Sequence, residues 1–342
     1  MTSSSGMQRS WGQRLVPDPF LAALLVAVAL AVLLPCRGET AQVLRYLTTG
    51  LIVLLFFAYG LRLAPSVVAA GLTDWRLQGC VLACTFLVFP LCGWLLYRLW
   101  PALLPDALWI GLLFLCFLPS TVQSSVSFTS MARGNTAAAV CAATLSNLIG
   151  VFVTPLLVAL LLSSRGGSIG AAQVAKIGLQ LVLPFVAGQL LRPRLAAWAH
   201  RNSRPLLFSD RGAILLSIYT AFSAATVQGL WMQIPSRQLW ALAVVCVALL
   251  VAVMSVAVLG SRALGLPRES ETVVLFCGSH KSLATGIPTA NVLFSSAALG
   301  PIVLPLMIYH QVELLVGAAL ARRCARSHEP QASRRVDDDA PR

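Results

Sequence analysis

From about residue 18 to about residue 321 the chain repeats one pattern, a run of mainly apolar residues closed by a short polar or basic stretch. Each run is about twenty residues long, which is what a helix needs to cross the hydrocarbon core of a bilayer. The runs occupy about 18–36, 43–63, 77–97, 107–130, 136–162, 172–191, 210–230, 238–260, 270–295 and 301–321. No water reaches that core, so backbone donors and acceptors must pair within the segment, and helices are the form that does so. Composition agrees: 58% of the 342 residues are hydrophobic and 11% charged, whereas a soluble domain carries roughly a quarter charged residues. The expected fold class is therefore all-α, a polytopic membrane protein of about ten transmembrane helices. Residues 1–17 read as a flexible N-terminal segment. Helices 1–5 and helix 6 fall within 18–191, a basic cytoplasmic loop within 192–209, helices 7–10 within 210–322, and a charged cytoplasmic tail within 323–342.

The net charge of +13 would suggest nucleic acid in a soluble protein. Here the basic residues instead sort by side. A cytoplasmic N-terminus places eighteen arginines on the cytoplasmic face; Arg37, Arg45, Arg98, Arg165, Lys176 and Arg237 fall opposite, and Lys281 lies within a span. That asymmetry fits the positive-inside rule and puts both termini in the cytoplasm. No basic stripe interleaved with aromatics occurs, which argues against nucleic acid as a partner. The nine cysteines form no CxxC pairs with nearby histidines, so no metal centre is expected and they read as small packing residues. Compact loops and the lack of a recognisable targeting signal point to a bacterial inner membrane.

The basic stretch RPRLAAWAHRNSRPLLFSDR follows the sixth segment, near the middle of the chain, and the ten segments read as two halves of five. An odd number per half makes the second half enter the membrane inverted, the scheme of many secondary transporters. The fourth segment of each half is interrupted by polar residues: FLPSTVQSSVSFTSMARGN in the first and CGSHKSLATGIPTAN in the second. Interruptions at corresponding positions are the best sequence pointer to a transporter's binding site, since unwound backbone at that depth must face protein or a wet cavity. The helix breaks are expected at Pro119, Gly278, Gly286 and Pro288. Thr121, Gln123, Ser124 and Ser125 follow Pro119 directly and are expected to line a pathway. Ser127, Thr129 and Ser130 divide evenly between lining and bonding back to their own helix. Thr144 and Asn147 share a face of the next segment.

Lys281 is the sharpest feature. A lysine at mid-membrane costs about 2.5–3.5 kcal/mol on insertion scales, so it must face a cavity, pair, or lose its proton. Its expected partner is Glu313, the one carboxylate that the spans place near mid-membrane, with His310 three residues before it on the same face. A Lys281–Glu313 bridge joining segments nine and ten and a titrating or substrate-contacting pair are the two readings. Ser279, His280, Ser282 and Thr285 flank the lysine and join the candidate pathway.

With PSTVQSSVSFTSMARGN followed by TLSNLIGVFVTP, and FCGSHKSLATGIP followed by IYHQVELLVGAAL, the chain resembles the bile acid:sodium symporter family, and more narrowly its divergent SBF-like branch, over about 15–325. The resemblance implies a panel domain and a core domain, with two broken helices crossing at substrate and sodium sites. In sodium-coupled members a glutamate precedes the glycine of the second broken helix by two residues and a Gln-Asn pair follows. Aligning that glycine on Gly278 puts Phe276 at the glutamate, His280 at the glutamine and Lys281 at the asparagine. Ser124, Ser125 and Ser127 fall near the family's Ser-Asn pair, and Thr144, Ser146 and Asn147 match its hydroxyl-rich fifth helix. A fixed ammonium thus stands where the family binds a cation. The function expected is secondary active transport of a small organic anion by alternating access, with no cofactor and with coupling to Na+ or H+ as alternatives. A transporter-fold regulator of ion homeostasis that binds ligand without net transport is the second reading. An enzyme is not expected, because no GxSxG, HExxH or paired carboxylates accompany the serines.

Overall fold

The computed structural model describes residues 19–64, 74–164, 171–229, 234–296 and 298–327. The expected segment 1–17 and the tail beyond residue 327 lie outside the described residues. The described chain is helical, with no strand among the described residues. Its helices are α1 (Pro19–Leu33), α2 (Gly38–Arg62), α3 (Trp75–Leu99), α4 (Asp106–Phe117), α5 (Val122–Met131), α6 (Thr136–Ser164), α7 (Ala171–Arg201), α8 (Ser203–Val227), α9 (Ser236–Ala263), α10 (Arg268–Ser279), α11 (Leu283–Leu293) and α12 (Leu299–Ser327).

By length and apolarity five helices can cross a membrane, α2, α3, α6, α9 and α12, or six if α4 and α5 count as one span bent by 61°. The remaining expected segments are helical, and their described residues do not meet that standard. α1 has only 15 residues. α7 and α8 carry arginines within their helical length, and α10 and α11 are 12 and 11 residues long.

The stretch 192–209, expected as a loop, is helical on both sides of Asn202, with α7 running to Arg201 and α8 starting at Ser203. The physical reason is burial. Leu195, Ala199 and Leu206 share an apolar cluster with Phe57, Ala58 and Leu61 of α2, and that contact holds the chain in helix where its arginines had suggested a loop.

Two sets of helices pack among themselves. α2 lies along α7, α1 along α8, and α8 against α2. A Cβ on Gly60 would fall on the carbonyl of Phe185, and one on Gly188 on the carbonyl of Phe57. Only glycine permits that backbone approach between α2 and α7. In the second set α4 and α9 pack on α12, α5 on α6 and α10, and α9 on α10. Its interior holds Phe89, Trp109, Phe114, Phe276 and Tyr309, all fully buried.

α3 contains one feature that the site depends on. Pro90 has no N–H, and in a regular helix its ring would crowd the carbonyl four residues back. The chain answers with a π turn over Cys84–Val88, in which the Phe89 N–H reaches back to the Cys84 carbonyl. The next carbonyl, that of Thr85, would take its π-type bond from residue 90, which is proline. Thr85 is therefore left with an unclaimed acceptor inside the protein.

Candidate functional site

The two breaks meet. The first spans Leu118–Thr121 between α4 and α5, and the second spans His280–Ser282 between α10 and α11. Leu118 is extended (φ −74, ψ 152), as a residue before proline prefers. The Ser282 N–H donates to the Pro119 carbonyl at 2.9 Å, joining one break to the other through their backbones.

Buried main-chain groups require partners, and the first break finds all of its acceptors one from elsewhere in the fold. The Cys116 and Leu118 carbonyls accept from Lys281 Nζ at 2.9 and 2.6 Å. The Phe117 carbonyl accepts from Thr154 Oγ1 at 2.7 Å. The Pro119 carbonyl takes the Ser282 N–H, and the Ser120 carbonyl accepts from Asn147 Nδ2 at 2.8 Å. The Ser120 N–H donates to Ser146 Oγ at 3.0 Å. Five consecutive carbonyls thus turn away from their own helix, two of them onto one ammonium.

Lys281 is fully buried. Its third Nζ bond goes to the unclaimed Thr85 carbonyl of the π turn, at 2.9 Å. The ring of Phe89 lies 4.0 Å from Nζ, close enough for cation–π attraction. Hydrogen bonds to a charged group contribute about 1.5–3 kcal/mol each. Three of them are of a size to offset an insertion penalty of about 2.5–3.5 kcal/mol, with no carboxylate bonded to Nζ.

Of the two readings of Lys281 and Glu313, the side-chain bridge is not formed. Glu313, also fully buried, accepts from the Lys281 backbone N–H through Oε2 at 2.8 Å and contacts His310 Nδ1 through Oε1 at 2.7 Å. The carboxylate is engaged by an amide and an imidazole, and the ammonium by carbonyls, so neither side chain needs the other. Tyr309 donates to the Ser279 carbonyl at 2.7 Å and closes the second break from the α12 side.

Beside the junction lies a cavity of about 600 Å³. Of the residues expected to line a pathway, Thr121, Gln123, Ser124, Ser127, Thr144, Asn147, Ser282, Thr285 and His310 line it, as does Pro119. Ser125, Ser279, His280, Lys281 and Glu313 do not. Ser125 donates to the Phe276 carbonyl at 3.2 Å, and Ser279 donates to the Leu275 carbonyl. His280 sits behind the wall, with Nδ1 3.4 Å from the hydroxyls of both Ser124 and Ser125.

The expected breaks are partly corrected. Pro119 lies in one. Gly278 is in the last turn of α10, and Gly286 and Pro288 are inside α11. The two glycines serve close packing: a Cβ on Gly278 would come 3.0 Å from Cys84, and one on Gly286 would come 2.5 Å from Leu118. α11 instead begins at Ser282, whose hydroxyl caps it by accepting from the Thr285 N–H at 3.2 Å, a role serine fills well.

Several residues of the site escaped sequence reasoning. Thr154 and Tyr309 were not singled out, and Ser146 entered only through the family resemblance. The Thr85 carbonyl carries no side-chain signal, although Pro90 inside a spanning segment marks the disturbed ladder. Arg62, Asp210 and Arg211 line the same cavity. Arg62 and Asp210 form an ion pair, and Arg211 lies over the Phe20 ring at 5.4 Å. An aspartate beginning an apolar run was the available signal. Among the described residues no group of three His, Cys, Asp or Glu side chains is placed to hold a metal ion.

Comparison with known proteins gives the family of the chain. The chain is 50% identical to "Uncharacterized protein PA2026" of Pseudomonas aeruginosa, over 94% of this chain and 96% of that protein. It is 46% identical to "Putative symporter YfeH" of Escherichia coli, over 91% and 94% respectively. It is 27% identical to "Sodium/bile acid cotransporter 7-B" of Xenopus laevis, over 90% and 92%. The Escherichia coli and Xenopus relatives carry the names of transporters, not of enzymes. Residues 18–326 match the family described as the SBF-like CPA transporter family (DUF4137), and the chain belongs to that membrane transporter family.

Proposed function

We propose that the protein is a secondary active transporter for a small organic anion, in which the Lys281 ammonium takes the place of a bound monovalent cation. The observation that carries this reading is the cradle itself. Three main-chain carbonyls around a single positive charge, at the meeting of two helix breaks, form the kind of ligand set that hard cations select. The charge is tethered, so transport does not require Na+.

The 600 Å³ cavity beside it is of the size that holds a small organic ligand. Hydroxyls, amides, His310, Arg62 and Arg211 supply donors for a carboxylate or sulfonate, in keeping with the name of the cotransporter relatives. α1, α2, α7 and α8 act as a panel and the remaining helices as a core, with the cavity between them. The broken pairs α4–α5 and α10–α11 take the fourth position of two inverted halves and cross at Pro119 and Ser282. Rocking of panel against core would give alternating access. The arginine asymmetry puts both termini in the cytoplasm, and the bacterial relatives support a bacterial inner membrane.

The test is uptake by proteoliposomes, with radiolabelled taurocholate as first probe and a panel of smaller carboxylates and sulfonates beside it. Accumulation that is unchanged when Na+ is replaced by choline, and lost in Lys281→Met, is expected. A strict Na+ requirement would refute the tethered-cation reading. Binding of probes without accumulation of any would favour the regulator.

A further inference from the structure

A second cavity, of about 730 Å³, lies at the other end of α2, between the same two sets of helices. The first cavity meets α2 at Phe56, Tyr59 and Arg62, and the second meets it from Gly38 to Ile52. Ile52 and Phe56 are four residues apart, about 6 Å along a helix axis. On α11, Thr289 lines the first cavity and Val292 the second, about 4.5 Å apart by the same measure. The material between is apolar: Ile52, Leu55, Phe56, Leu181 and Phe185 form one buried cluster with Val292 packed against it.

The lining of the second cavity differs in character from that barrier. Arg37, Arg45, Gln42, Gln180, Gln228 and Asn291 face it, and no aspartate or glutamate is among its described lining residues. The Tyr219 hydroxyl donates to the Leu34 carbonyl at 2.8 Å and holds the α1–α2 corner beside this mouth. Two guanidinium groups with amides and no opposing carboxylate suit an oxyanion, because the guanidinium fork matches carboxylate, sulfonate or phosphate oxygens.

We propose that this cavity is a second anion site, an electropositive vestibule that opens to the membrane face opposite the Arg62–Arg211 mouth. A barrier about one helical turn thick separates it from the central cavity. Its use in transport rests on the reading above, whereas its charge and sidedness do not. The vestibule concentrates organic anions by their charge before they meet the barrier, as clefts lined by one sign of charge do.

Cys36 lines the cavity and is half-buried, so the natural chain carries a reporter. The protein is reconstituted into vesicles of each orientation. Each is treated with membrane-impermeant methanethiosulfonates, one anionic (sulfonatoethyl) and one cationic (trimethylammonioethyl). Modification of Cys36 is followed by mass spectrometry, with each rate taken relative to that of a free thiol in solution.

The expected result is modification only from the face opposite the Arg62 mouth. The anionic reagent should be favoured by about tenfold or more, the low end of electrostatic focusing, and the preference should collapse in Arg37→Gln and Arg45→Gln. Both arginines are exposed, so these variants retain the fold. Modification from the Arg62 side, absence of modification, equal relative rates, or a preference indifferent to both substitutions would overturn the proposal. Failed uptake in proteoliposomes with this labelling pattern intact would count against transport and leave the vestibule standing.

Discussion

At the scale of single residues, Lys281 and Glu313 divide their work in a way that predicts distinct mutational signatures. Lys281→Met keeps the length of the side chain and removes its charge, leaving the Thr85, Cys116 and Leu118 carbonyls without their donor. A buried polar group left unpaired costs about 1–3 kcal/mol, so the variant is expected to unfold at a lower temperature in detergent as well as lose uptake. Glu313→Ala removes the acceptor of the Lys281 N–H and should cost about 1–3 kcal/mol on the same ground. Glu313→Gln keeps that acceptor and should recover most of the loss. Thermal unfolding of the three proteins checks both statements. That Lys281 and Glu313 come together inside the protein was readable from spacing. Their partners were not, because the acceptors of the ammonium are main-chain carbonyls, which every residue possesses and no sequence pattern marks.

At the scale of elements, the breaks are stabilised from the side by α6. Thr154→Val preserves shape and removes the donor to the Phe117 carbonyl; a loss of about 1–3 kcal/mol is expected, read as a fall in the unfolding midpoint. A Gly188→Ala substitution would drive α2 from α7 at their closest approach. Overpacking of this kind typically costs about 1–3 kcal/mol, and uptake should fall with it if α2 and α7 move as one body. The first break was legible because proline both interrupts a helix and restricts its neighbour. The second was misplaced onto Gly278, Gly286 and Pro288, since glycine marks close packing as readily as a break and a helix can hold a proline in its interior. Ser282, an N-cap serine just ahead of the apolar LATGIP run, was the better signal. The π turn of α3 went unread although Pro90 announced it.

At the scale of the whole molecule, the apolar runs located each of the helices α1 to α12, yet length and apolarity alone qualify five of them as spans, or six with the bent pair. α8 falls short because Asp210 and Arg211 lie at the start of its apolar run, and the connection between α7 and α8 is helical where charge had suggested a loop. Tertiary burial of Leu195, Ala199 and Leu206 overrides the local polarity there. One wall of the first cavity was legible in the polar residues around the two breaks, but its Arg62–Asp210 side and the whole second cavity were not, since each draws lining from helices far apart in the chain.

The claim on which these scales converge is that a tethered ammonium occupies a cation's place between the breaks. Its most direct measurement is the thermal unfolding midpoint of the purified protein in NaCl against choline chloride, for the natural chain and for Lys281→Ala. The natural chain should show no difference, and the variant, its cradle emptied, should be stabilised selectively by Na+ or by methylammonium. A natural chain stabilised by Na+, or a folded variant indifferent to both cations, would contradict it.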